Sequence, residues 1–122
     1  MEFDANSLIQ ELNDQITKEV KEIVKDTIRE VVEASPTPQN SAGFSVGSYV
    51  RSHRVALDQA DDSYDMVPEG EVDEQAASKA MELINKVDDL IKEPCVRVVI
   101  SNNVPHALDV ETGENWQKTP GY

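Results

Sequence analysis

The chain has 122 residues with 11 basic and 24 acidic side chains, a formal net charge of −13. That balance repels polyanions at long range and lacks the basic footprint of a nucleic-acid binder. A single cysteine excludes an internal disulfide and any cysteine-based zinc site, and no stretch approaches the ~20 apolar residues of a membrane span.

At this length one domain spanning 1–122 is expected, hiding roughly 65% of the unfolded-chain surface. Aromatics make up 5% of the residues, so Leu, Ile and Val must build the core. The N-terminus lacks the basic-then-apolar pattern of a signal peptide, and synthesis in the cytoplasm is expected.

Residues 6–34 predict one long helix. Leu8, Leu12, Ile16, Val20, Ile23, Val24, Ile28, Val31 and Val32 recur at three- and four-residue steps, as on a single apolar stripe. Ser7 with Gln10 fits a capping box, and Asn6 competes as the cap. At ~1.5 Å per residue the helix is about 40 Å long, more than a domain of this size needs. Part of its stripe is therefore expected to meet another subunit.

Pro36 and Pro38 stop the helix, and residues 35–47 read as a partly mobile loop rich in Pro, Gly, Ser and Asn. Residues 48–58 read as a strand, with Tyr49, Arg51, His53, Val55 and Leu57 on one face. Residues 59–72 read as an acidic loop. Asp73 is the expected cap of a second helix over 73–92, with a stripe from Ala76 to Ile91 and a stop at Glu93-Pro94. Residues 95–101 read as a second strand, apolar on both faces as in a central position. A turn at Asn102-Asn103, a Pro105-started short helix over 104–112 stopped by Gly113, and a tail over 113–122 complete the chain. The expected fold class is α+β. A long N-terminal helix is joined to a small, mainly antiparallel sheet with a second helix packed on it and a short C-terminal helix.

Charge is unevenly placed: residues 58–74 carry eight acids and no base. Asp58, Asp61, Asp62, Asp65, Glu69 and Glu71 are read as a solvated acidic surface. Their spacing lacks the alternation, central Gly and closing Glu of a calcium-binding loop. His53 and His106 are the only histidines and match no metal motif, so no metal or cofactor is expected. Gly43-Phe-Ser-Val-Gly47 approaches a nucleophile elbow but lies between a loop and a strand, not a strand and a helix. Cys95 has no cationic neighbour to activate it and reads as a small buried hydrophobe. On the expected short helix Asp109 and Glu111 would point to different faces, and no catalytic group is expected. Trp116 is an amphipathic ring in a polar tail, suited to anchoring on a partner or on its own domain.

Two blocks carry a resemblance to a known family. One is Thr37-Pro38-Gln39-Asn40-Ser41-Ala42-Gly43-Phe44, followed by the strand with Tyr49. The other runs from Val98 through Ser101-Asn102-Asn103-Val104-Pro105-His106-Ala107 to Glu111-Thr112-Gly113, with Pro120-Gly121 beyond. Together with the element order they resemble the neck and tail-completion (head–tail joining) proteins of tailed bacteriophages. Asn40-Ser41-Ala42 stands where that family has an Asp-Thr pair, Phe44 where it has Arg, and His106 where it has Tyr.

The resemblance implies a non-enzymatic virion protein made in the host cytoplasm. It would form a homo-oligomeric ring in the neck, hexameric or else dodecameric. The ring would sit between the portal or head-completion protein and the tail terminator or tail tube, with genomic DNA passing through unread. Leu12, Ile16, Val20, Ile28, Phe44, Tyr49 and Trp116 are the expected subunit or partner contacts, and the acidic residues would face the lumen or solvent. The alternatives are a non-phage oligomeric adaptor carried by a coiled-coil-like N-terminal helix, and a small metal enzyme using His53 or the acidic loop.

Overall fold

The computed structural model of the chain describes residues 4–42, 44–94 and 97–106. Helix α1 spans Ala5–Ala34. Its cap is neither Ser7 nor Asn6 but Asp4, whose carboxylate accepts from the amides of Asn6 (3.0 Å) and Ser7 (3.4 Å). An aspartate satisfies those orphan amides and complements the positive end of the helix, while Ser7 donates its hydroxyl back to Asp4. At the other end Ser35 turns extended before Pro36.

The loop that follows is knitted by its own side chains. Thr37 and Asn40 bond each other's amides reciprocally, Asn40 Nδ2 donates to the Ser35 carbonyl, and Ser41 Oγ accepts from the Ser45 amide. The expected partly mobile loop is thus a hydrogen-bonded turn. The sequence signal for mobility, many small polar residues, is here the source of the bonding.

The expected strand 48–58 is shorter. Val50–Ser52 form a 3-10 turn, and strand β1 is only His53–Leu57. Gly47 lies at φ +103°, where a Cβ would come within 2.7 Å of Ala76 Cβ, so glycine lets the turn sit directly on the second helix. The expected helix 73–92 divides into α2, Ala76–Met81, and α3, Leu83–Leu90, with Glu82 between them. No Pro or Gly forces that break. It lets Ala76 and Ala80 pack toward the 3-10 turn while Leu83 and Val87 pack toward α1. Asp73 precedes α2 by a turn, accepting from the amides of Gln75 and Ala76.

Strand β2, Val98–Asn102, pairs antiparallel with β1 in register Val55↔Ile100 and Leu57↔Val98. Among the described residues the sheet has two strands, and β2 is half-buried along its length, not central as its two apolar faces suggest. Val55, Leu57, Val98 and Ile100 lean on a core of Val24, Ile28, Val32, Val50, Leu83, Val87 and Ile91. The α+β class expected from the sequence is what the fold shows. The short helix 104–112, apart from a turn at Pro105-His106, and the tail with Trp116 lie outside the described residues, as does Cys95.

Candidate functional site

His53 stands where α1 ends and the sheet begins. Ser35 Oγ lies 2.6 Å from the Val31 carbonyl and 2.7 Å from His53 Nε2. A carbonyl can only accept, so the hydroxyl proton goes to Val31 and Nε2–H donates to Ser35 Oγ. That leaves Nδ1 as the acceptor facing Asn102 Nδ2 at 3.2 Å, whose second proton goes to the Tyr49 carbonyl at 2.7 Å. The Tyr49 ring meets the imidazole edge-on at a centroid distance of 5.0 Å. Burial first, and the Arg54 charge second, lower the His53 pKa to about 4.

A serine within bonding distance of a histidine suggests a nucleophile and its base. The proton direction here is the reverse, because a general base needs an unprotonated Nε2. Both ring nitrogens are occupied and the group is only 4% exposed. The arrangement ties α1 to both strands as a neutral, satisfied network. Sequence reading did not find Ser35, whose only signal was its place before Pro36.

The acidic segment is held by its backbone. Arg51 donates Nε to the Asp65 carbonyl, Nη2 to Asp65 Oδ1 and the Met66 carbonyl, and Nη1 to Asp73 Oδ2 at 3.0 Å. Ser52 Oγ accepts from the Asp65 amide and donates to its carbonyl. Ser48 Oγ accepts from the Val67 amide, and the Val46 carbonyl from the Asp73 amide. At the near end the Asp61 carbonyl accepts from Ser101 Oγ, and Arg54 Nε donates to Ser63 Oγ. Asp61 itself accepts from the Ser63 hydroxyl and amide, which hold its carboxyl below the usual range. Residues 61–73 therefore form a strap whose peptide groups point inward. Asp58, Asp61, Asp62, Asp65, Glu69 and Glu71 are all exposed. Among the described residues no group of His, Cys, Asp and Glu is placed to hold a metal ion, and no helix is long and apolar enough to cross a membrane.

The residues named as contacts from sequence separate into distinct environments. Ile28 is 1% and Tyr49 6% exposed, both enclosed by their own chain, and Val20 is partly covered by the core. None of these three needs a partner to bury it. Leu12 (54%), Ile16 (47%) and Phe44 (45%) are exposed. The single stripe read from spacing resolves into two faces. A ladder of four-residue steps turns by about 40° per step, so Leu8, Leu12 and Ile16 end up far around the helix from Val24, Ile28 and Val32. Only the second set reaches the core.

No family model matches the chain, and neither a curated protein nor a solved structure does.

Proposed function

We propose that this protein is a structural component of a tailed-phage virion. In this reading it forms a ring in the neck that joins the portal or head-completion complex to the tail and lines the DNA channel. The observation that carries the reading is the strap: backbone fastened inward by Arg51, Ser48 and Ser52, the Asp65 and Asp73 carboxylates paired with Arg51, and those of Asp61, Asp62, Glu69 and Glu71 exposed. A wall of fixed negative charge repels the phosphate backbone, so DNA slides past without adhering. The motif blocks around Thr37 and Asn102-Asn103 support the family resemblance, and their polar groups serve the fold itself, at the helix exit and at the Tyr49–His53 junction. Assembly, not catalysis, is the mechanism.

Deleting the gene and viewing lysates by electron microscopy tests this. Filled heads and finished tails lying unjoined, rescued by complementation, are the expected result. Normal particles would overturn the neck role and favour the oligomeric adaptor.

A further inference from the structure

The strap turns back on itself after Pro68, where the Glu71 amide donates to the Pro68 carbonyl at 3.0 Å. Both limbs of that turn are fastened to the body. Before it, the Met66 carbonyl accepts from Arg51 Nη2 and the Val67 amide donates to Ser48 Oγ. After it, the Asp73 amide donates to the Val46 carbonyl at 2.8 Å. Between these fastenings lies an open groove of about 520 Å³, lined by Val46, Met66, Pro68 and Val72 together with Glu69 and Glu71. That volume falls within the ~300–1,000 Å³ of sites that hold a ligand. Met66 is 36% and Val72 53% exposed, so apolar surface is left uncovered there. Because backbone bonds hold the walls, the shape exists before anything enters it, and the ordering cost of binding is small.

The charges in the groove have one sign. Glu69 and Glu71 are exposed, and neither meets a cation among the described residues. Residues 58–74 contain no base, and the two cations that reach this part of the strap, Arg51 and Lys79, are taken up by Asp65 and Asp73. This combination selects an occupant. A purely apolar segment would cover the two carboxylates without pairing them, and an acidic one, or a second copy at net charge −13, would be repelled. We propose that the groove is a docking site for a short segment of a partner protein in which an apolar side chain is flanked by Lys or Arg. The apolar side chain covers Met66 and Val72, and the flanking cations meet Glu69 and Glu71. The proposal goes beyond the neck reading and does not depend on it. Asp61 and Asp62 lie outside the groove and stay exposed when it is filled.

The test is to screen the purified full chain against a randomised nonapeptide array and to measure the selected peptides by fluorescence anisotropy. The bound sequences should be enriched in an apolar residue next to Lys or Arg, and their affinity should fall as salt rises. A Glu69→Gln/Glu71→Gln variant should bind them at least about fivefold more weakly, and a Met66→Ser/Val72→Ser variant at least about tenfold more weakly. Circular dichroism and melting should be unchanged in both, because all four side chains are exposed. An array that selects no sequence overturns the proposal, including the case in which residues 107–122 or a second copy cover the groove. So does selection of sequences without basic residues, or binding that both variants leave untouched. The neck reading fails separately: particles that join normally without the gene remove it and leave the peptide result standing.

Discussion

At His53 burial, with the Arg54 charge beside it, keeps the imidazole uncharged, and this makes the fold sensitive to acid. Its pKa is about 4 in the folded chain, against an ordinary value of 6.5 when unfolded. Between those values the unfolded chain binds a proton that the folded chain refuses. Its contribution to stability is therefore full above pH 6.5 and falls as pH drops toward 4, by on the order of 3 kcal/mol. Urea unfolding at steps from pH 7 to pH 4 should show that decline. A His53→Gln variant, less stable at pH 7, should lose most of the slope in this window. An unchanged slope would mean that other groups carry it. The lowered carboxyls of Asp4, Asp61 and Asp73 act in the same direction but below their ordinary 3.8, outside the window.

At the scale of elements, α1 separates into a half that the core holds and a half that it does not. Truncating Ile28 to Ala should cost about 2–5 kcal/mol, and truncating Ile16 to Ala less than about 0.5 kcal/mol, in chemical denaturation of the dilute protein. Comparable losses would mean that the outer face is covered within the chain. This division was only half legible in the sequence. Apolar spacing gave the extent of α1 to within one residue, because helix formation depends on that local pattern. Which side of the helix each residue faces depends on where the neighbours lie, and a four-residue ladder that drifts around the axis conceals it. The break at Glu82 and the 3-10 turn at Val50–Ser52 were hidden for the same reason. Both answer to packing between α2 and the turn, and no breaker residue marks either. At the candidate site, the acid count foretold exposed carboxylates. The Arg51 and serine fastenings, which join residues 13 to 22 positions apart, left no local mark.

For the whole molecule, the net charge of −13 sets the conditions of assembly. If copies assemble into the proposed ring, their association should strengthen as salt rises and screens the repulsion between them, because at 0.1 M the screening length falls to about 10 Å. Sedimentation in low and high salt should show the larger mass at high salt. The opposite trend would indicate a contact held by ion pairs. Lys21 and Lys25, half-buried and paired with the exposed Asp88 across α1 and α3, should weaken only slightly under the same conditions.

The division of α1 also has a mechanical meaning. A helix of 30 residues extends for about 45 Å, and only its C-terminal part is clamped by the core. The first turns are then a cantilever, stiff along their length and rooted near Thr17 and Val20. A tilt of a few degrees at the root, the scale of ordinary repacking between α1 and α3, is magnified at the tip into displacements of ångströms. Such a lever can find its counterpart over a range of angles while the body that carries it stays unchanged.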